Sequence, residues 1–163
     1  MKMDAEQFRT EIESIEPSLF VSCSSFEERC LASSKIVAAA SFCLPLIFRT
    51  NRISEKSSLV HKELMDANWK REPRSAEISI ADPLVTVDVM TKSFRALPEE
   101  AMRSIVVDIS TFTHEHLAIL LKLLHSLNLL QVTHFAYVSV CAYGGTEATE
   151  HLWLSRGTAN IRP

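Results

Sequence analysis

The stretch IVVDISTFT, residues 105–113, decides the fold, because an apolar strand runs there into a hydroxyl-rich turn and then a helix. The stretch LFVSCSS, residues 19–25, repeats this pattern near the start of the chain. A strand that is apolar without alternation is typical of a parallel sheet buried on both faces. Junctions of this kind lie at the carboxyl ends of the strands, where ligands bind and helix N-termini attract anions.

Alternating helices and strands are predicted around these two junctions. Helical spacing of apolar residues predicts helices over residues 4–16, 54–69 and 113–127. A further helix is predicted to start at a cap formed by Ser24 or Ser25 and to end at about residue 40. Extended or alternating stretches predict strands over residues 18–23, 42–48, 76–81, 84–89, 104–109 and 132–140. Pro45 indicates an edge or a bulge in the second strand. Residues 71–75 are expected to form a charged turn, and residues 90–103 a short helix or an irregular link.

This order predicts a single Rossmann-like α/β domain over residues 1–163, a three-layer sandwich with a mostly parallel sheet. Its core is expected over residues 18–140. The tail, residues 141–163, contains adjacent apolar side chains around Trp153 that no single helix or strand face buries together. We therefore expect the tail to pack on a second chain, which is either a copy of this one or a distinct subunit.

The composition excludes several classes of function. With 163 residues, 47% of them hydrophobic and 23% charged, the chain is globular, and its net charge of −3 argues against general nucleic-acid binding. No apolar run reaches membrane-spanning length and the polar N-terminus opens no signal peptide, so a cytoplasmic protein is expected. No glycine precedes Gly144. A Walker loop and a GxGxxG turn are therefore missing before it, and no cofactor is predicted. The four cysteines lack metal-site spacing, so no metal is predicted either.

Asp108 is the first candidate site residue, since a carboxylate in an apolar strand is costly unless it is paired. It is either a functional group, for general acid–base work or ligand binding, or a structural carboxylate held by a neighbouring loop. The turn after Asp108 carries three hydroxyls, those of Ser110, Thr111 and Thr113. One of them is expected to cap the helix, and contact of the others with a phosphate or a sugar is a second interpretation. Glu115 suits the helix dipole, and His114 and His116 are expected to be solvated.

The first junction contributes Ser22, Ser24 and Ser25 as candidate ligand-binding residues. Both Ser24 and Ser25 have a glutamate three residues later, which fits a capping box. Cys23 is either a nucleophile with a lowered pKa or a packed small residue. Arg29 is either a solvated partner of Glu27 or a ligand for an anion held at the junction.

Two further groups are expected at the same edge of the sheet. A basic cluster after the second strand, Arg49, Asn51 and Arg52, is a candidate for compensating the charge of a nucleotide. Tyr143 beside Gly144 and Gly145 is a candidate stacking platform after the last strand.

The Asp108-Ile109-Ser110-Thr111 turn, together with the earlier Ser22-x-Ser24-Ser25 loop, resembles the CRISPR-associated Rossmann-fold (CARF) sensors of bacterial defence systems. That resemblance implies a nucleotide pocket lined by both loops and a role in antiviral defence. The turn in that family usually continues through a glycine and a lysine, where this chain has Phe112 and His114. A second resemblance, to TIR-like domains, implies NAD cleavage with Glu115 as the candidate glutamate.

Three hypotheses of function follow from these observations. The first is a ligand-sensing domain that binds a nucleotide or a related anion at the strand tips and forms an oligomer. The second is a nucleotide-processing enzyme, a TIR-like NAD glycosidase or a hydrolase, that uses Asp108 or Glu115. The third is an interaction subunit completed by a partner chain.

Overall fold

The computed structural model describes residues 4–25, 27, 29–50 and 55–138, with the backbone alone for residues 55–60. The expectations for Asn51, Arg52, Tyr143, the two glycines after it and the tail around Trp153 lie outside the described residues and stay predictions. None of the described helices is long and apolar enough to cross a membrane.

Five strands alternate with five helices through the described chain. The helices are α1 Ala5–Ile15, α2 Arg29–Ala40, α3 Glu55–Ala67, α4 Pro83–Arg95 and α5 His114–Ser126. The strands are β1 Leu19–Ser24, β2 Leu44–Thr50, β3 Arg74–Ile78, β4 Ile105–Asp108 and β5 Thr133–Ala136. Short 3₁₀ helices, Glu99–Met102 and Leu130–Val132, precede β4 and β5.

The strands form one sheet in the order β3-β2-β1-β4-β5, and every pair in it is parallel. This confirms the predicted Rossmann-like α/β fold and makes the sheet wholly parallel. The chain builds outward from β1 through β2 to β3, and then crosses to the other side of β1 to form β4 and β5. The order therefore reverses between β1 and β4, which makes this pair the topological switch point.

Side-chain alternation along the strands divides the core between the two faces of the sheet. Leu19, Val21 and Cys23 of β1 belong to the larger cluster, which includes Met90 and Phe94 of α4 and two leucines of α5. Phe20 and Val106 face the other way, against Ile12 of α1 and Val37 of α2. Helices α1 to α3 thus cover one face and α4 with α5 covers the other.

The prediction of a strand over residues 84–89 is wrong, because these residues lie in α4. Its valines and threonine favour a strand by propensity, but Asp82 caps a helix by accepting from the N–H groups of Leu84 (2.9 Å) and Val85 (3.3 Å). Pro83 occupies the first helical position, where a missing N–H costs nothing. Thr86, Met90 and Phe94, spaced by four residues, are buried, so tertiary burial overrides strand propensity.

The prediction that Pro45 marks an edge or a bulge is also wrong. Strand β2 lies inside the sheet between β1 and β3, and Pro45 pairs in register with Phe20. The N–H of Leu44 donates to Ser18 O (3.0 Å) on the β1 side, so the next backbone nitrogen points to the other side. Pairing with β3 begins only at Leu46, and the missing donor of Pro45 therefore interrupts no hydrogen bond.

Smaller differences concern where the elements begin. Strand β3 begins at Arg74, inside the expected charged turn. Of the two alternatives for residues 90–103, a short helix or an irregular link, the structure has a short 3₁₀ helix, Glu99–Met102, and α4 extends into this stretch before it. Helix α2 begins at Arg29, so Ser24, which ends β1, does not cap it. Ser25 Oγ accepts from the N–H of Glu27 (3.3 Å) and forms a local turn before the helix instead.

Candidate functional site

The two sequence junctions meet at the switch point, at the carboxyl ends of β1 and β4. Val21 of β1 pairs with Val107 of β4, so the next positions, Ser22 and Asp108, are neighbours on the same face of the sheet. Helix α2 covers that face. The candidate residues after the two strands therefore gather at one edge, which we call the switch-point edge.

Asp108 is fully buried, and both of its carboxylate oxygens accept hydrogen bonds from serines. Its Oδ1 accepts from the N–H of Ser110 (2.9 Å) and from the hydroxyl of the same residue. Its Oδ2 accepts from the hydroxyl of Ser33 on α2. This geometry favours the structural interpretation, since a substrate reaches neither oxygen without displacing a serine. The catalytic assignment of Asp108 stays a prediction.

Burial raises the pKa of Asp108 above its ordinary value. The hydrogen bonds from Ser110 and Ser33 and the nearby Arg29 guanidinium act in the opposite direction, but burial outweighs them. The folded environment therefore favours the protonated form of this carboxyl, compared with an aspartate that is exposed to water.

Asp108 belongs to a series of polar contacts that joins three parts of the chain and is closed into a ring by helix α2. The hydroxyl of Ser110 accepts from the N–H of Val138 (2.7 Å), just after β5. The Val138 carbonyl lies 3.5 Å from Arg29 Nη1, and Arg29 stands one helical turn before Ser33 on α2. This polar ring, made of Arg29, Ser33, Asp108, Ser110 and Val138, fixes α2 to the loop after β4 and to the segment after β5.

The remaining hydroxyls after β4 also have partners within the fold. Thr111 Oγ1 donates to the Cys23 carbonyl, which ties this loop to the end of β1. Thr113 caps α5 by accepting from the N–H of His116 (3.2 Å). Both threonines are partly exposed, and Glu115 is exposed in the first turn of α5. Their ligand-binding roles, and the catalytic role of Glu115, stay predictions.

His116 corrects the expectation of a solvated histidine pair, because only His114 is exposed. His116 is 2% exposed, and its Nε2 donates to the Ser79 carbonyl (2.9 Å) between β3 and α4. Thr86 of α4 also donates to that carbonyl (2.7 Å). His116 therefore fastens α5 to the start of α4.

The serines of β1 differ from those after β4. Ser22 and Ser24 are fully buried on the face that α2 covers, and their hydroxyls have no hydrogen-bond partner among the described residues. The same holds for Ser34 of α2. An unpaired buried hydroxyl costs about 1–3 kcal/mol. Strand β1 thus carries hydrogen-bonding capacity that the described fold leaves unused.

Arg29 places a positive charge at the switch-point edge. Its Nε donates to Glu27 Oε2 (2.5 Å), while its Nη1 lies 3.4 Å from the Tyr137 hydroxyl. Its guanidinium carbon lies 5.8 Å from the Tyr137 ring centroid. Partial burial alone would lower the pKa of Arg29, but Glu27 and Tyr137 together raise it. A charged guanidinium with one ionic partner and two weak neutral ones suits an anion as a competing partner.

The described cysteines near this edge, Cys23 and Cys30, do not form a nucleophilic centre. Cys23 is buried on the face covered by α4 and α5, and burial raises its pKa. Burial also raises the pKa of Cys30 to about 11. Both thiols are therefore protonated at neutral pH, which favours the packing interpretation of Cys23. Within the described chain, no three His, Cys, Asp or Glu side chains are grouped to hold a metal ion.

The one described member of the predicted basic cluster, Arg49, already has an ionic partner. Arg49, at the end of β2, forms an ion pair with Glu77 of the neighbouring β3. At the opposite, amino-terminal edge lies a hollow of about 460 Å³. Its charged lining is Arg71 against the carboxylates Glu13, Glu16 and Glu100, so its acidic balance disfavours an anion. We therefore place the candidate site at the switch-point edge.

Two contributors to this edge were missed in the sequence. Ser33 lies inside a helix, where a serine carries no signal, and only its pairing with Asp108, 75 residues later, reveals its role. Tyr137 follows β5 directly, and an aromatic residue at a strand tip was a signal that could have been used.

Comparison of the chain with protein-family models, with curated proteins and with solved structures gave no match in any of the three. The function of this chain therefore has to be inferred from the chemistry of the switch-point edge.

Proposed function

We propose that this chain is a ligand-binding Rossmann-like domain that takes a nucleotide or a related small anion at the switch-point edge. The observation that carries the proposal is the position of Arg29. Its guanidinium stands at the N-terminus of α2, beside the reversal of strand order, and holds Glu27 as its single ionic partner among the described residues.

Three features support an anion there. Parallel α/β sheets bind ligands outside the carboxyl ends of the strands that flank the switch point. The N-terminal turns of α2 and α5 follow β1 and β4, so their free N–H groups and positive dipole ends lie at this edge. Two of the three buried serine hydroxyls without a partner among the described residues, those of Ser22 and Ser24, belong to the strand that leads into α2, and the third, that of Ser34, lies on α2 itself.

The resemblance to CARF sensors narrows the proposal to a sensor in bacterial defence that binds its nucleotide without consuming it. Asp108 supports binding over turnover, because both its oxygens are engaged in hydrogen bonds with serines. We propose that Asp108 holds the loop in place and that the partly exposed residues Ser25, Arg29, Thr111 and Thr113 face the ligand.

Incubation of the purified chain with ATP, NAD and cyclic oligonucleotides, followed by mass spectrometry and calorimetry, tests this proposal. We expect at least one of them to be retained unchanged, with micromolar or tighter affinity. Arg29→Gln should weaken that binding about tenfold or more, since a charged hydrogen bond is lost.

The matched control is Arg9→Gln, because Arg9 also donates through Nε to a glutamate (Glu13, 3.1 Å). Arg9 lies on α1 and lines a surface hollow together with Lys35, which is in the middle of α2. Arg9 is therefore not at the N-terminal turn of α2. Equal losses in the two variants would contradict an anion site at Arg29. Turnover of NAD, abolished by Glu115→Gln, would replace the sensor with the TIR-like glycosidase. Purification only in complex with a second protein, and no binding of the three ligands, would favour the interaction subunit.

A further inference from the structure

Tyr137 presents an aromatic surface at the switch-point edge. It follows the last residue of β5, Ala136, and 61% of its surface is exposed. The guanidinium carbon of Arg29 lies 5.8 Å from the ring centroid, and its Nη1 lies 3.4 Å from the hydroxyl oxygen. The exposed ring thus has a cation over one of its faces.

The backbone on both sides of Tyr137 is fixed. The Ala136 carbonyl accepts from the N–H of Ile109 (2.9 Å), which continues the pairing of β4 and β5. The N–H of Val138 donates to Ser110 Oγ (2.7 Å), as part of the polar ring. The backbone that carries Tyr137 is therefore positioned before any ligand arrives, and binding would cost little ordering of this backbone.

We infer that the ligand at this edge is recognised in two parts, a nucleobase that stacks on Tyr137 and a phosphate that binds Arg29. The inference rests on the proposed function and names the ligand class and the residue that selects it. Aromatic side chains stack on every base, and an arginine fork matches phosphate oxygens in pairs. Since the two groups adjoin, a matching ligand carries its phosphate close to its aromatic ring, as a nucleotide does.

The contacts of Arg29 explain why a bare anion would bind more weakly. A phosphate has to compete with Glu27, whose carboxylate is bonded to Nε at 2.5 Å and repels a second anion. Contacts of 3.4 Å to Tyr137 and 3.5 Å to Val138 are long and uncharged, so a phosphate readily replaces them. Stacking adds attraction that inorganic phosphate lacks, and it offsets the repulsion from Glu27.

The test compares ATP with inorganic triphosphate, which lacks the base and the sugar, by calorimetry on the full chain. We expect Tyr137→Leu to weaken ATP about tenfold or more, and to leave inorganic triphosphate within about twofold. Tyr137→Phe, which keeps the ring, should bind ATP within about threefold of wild type. Glu27→Gln, which removes the competing carboxylate, should bind both ligands about fivefold more tightly.

Phe135→Leu is the control, because Phe135 is also an exposed aromatic of this segment, 45% exposed, but has no cation beside it in the described part of the chain. It should leave the affinity for ATP unchanged. Equal weakening of ATP and triphosphate by Tyr137→Leu, or no weakening of either, would overturn the inference while leaving an anion site at Arg29 intact. Failure of the wild type to bind ATP, NAD, cyclic oligonucleotides or triphosphate would overturn the proposed function itself. Circular dichroism of each variant confirms that it is folded.

Discussion

The junction after β4 and the junction after β1 look alike in sequence, but they use their hydroxyls in opposite ways. After β4, Ser110, Thr111 and Thr113 each bond to a neighbour within the fold. On β1, Ser22 and Ser24 are buried without a partner among the described residues. The hydroxyls after β4 therefore serve the fold, whereas those of Ser22 and Ser24 in β1 are hydrogen-bonding capacity that the described fold leaves unused.

The largest effect should come from breaking the β4 junction at its centre. Asp108→Ala removes the acceptor of the hydroxyl of Ser33 and of the N–H and hydroxyl of Ser110, all within the buried part of the fold. We expect the free energy of unfolding to fall by about 3 kcal/mol, measured by urea denaturation. A loss below about 1 kcal/mol would show that Asp108 is not the centre of a structural junction.

The protonation of Asp108 should make stability depend on pH. Because burial raises its pKa in the folded state, its stabilising contribution is complete below the ordinary pKa of an aspartate, about 4. That contribution is lost as the pH rises through the higher folded-state pKa, with a slope of up to about 1.4 kcal/mol per pH unit. We expect the unfolding free energy of the wild type, measured relative to that of Asp108→Asn, to decrease between pH 4 and pH 8. A shift in the opposite direction would mean that the serine donors, and not burial, determine the pKa.

Serine-to-alanine substitutions at the two junctions should change stability with opposite signs. Ser110→Ala removes a donor to Asp108 and the acceptor of the Val138 N–H, and should lower the free energy of unfolding by about 1.5 kcal/mol. Ser24→Ala removes an unpaired buried hydroxyl and should raise that free energy by about 1 kcal/mol. Thermal and urea denaturation at one pH compare the two variants. Destabilisation by Ser24→Ala would reveal a bound water or ligand at β1.

The smallest expected effect is a difference in stability between substitutions at the start of α5 and just before α2. Thr113→Ala removes the N-cap of α5 and should cost about 1 kcal/mol. Ser25→Ala loses only the 3.3 Å contact with the N–H of Glu27 and should change stability by less than about 0.5 kcal/mol. Equal losses, measured in parallel by urea denaturation, would show that the β1 junction is as firmly capped as the β4 junction.

The sheet was predictable because its signal is local. Five predicted strands, among them the continuous apolar runs at 19–21 and 105–107, appear in the structure, and the order of elements implies a parallel sheet. The error over residues 84–89 also has a local cause. The valines of that stretch favour a strand, while Asp82 followed by Pro83 is a helix start that was overlooked.

The position of the candidate site was predictable from the sequence, but the hydrogen-bond partners within it were not. The two junctions locate the edge, since parallel strands bring their carboxyl ends together. Which hydroxyls are engaged depends on partners far apart in sequence, such as Ser33 and Asp108 or Thr111 and the Cys23 carbonyl. No periodicity of the sequence carries that information, because it arises only once α2 has packed on the sheet.

The polar ring has a consequence for the order in which the chain assembles. Arg29 and the Val138 carbonyl are separated by 109 residues, and the central strand β1 pairs with β4, which follows it by more than eighty residues. Contacts of this separation are slow to form, because a long loop must close first. During synthesis, β1 to β3 can associate early, but the ring has to wait until Val138 has left the ribosome. We therefore expect nascent chains that end before residue 105 to be captured by chaperones, because β1 still exposes an unpaired edge.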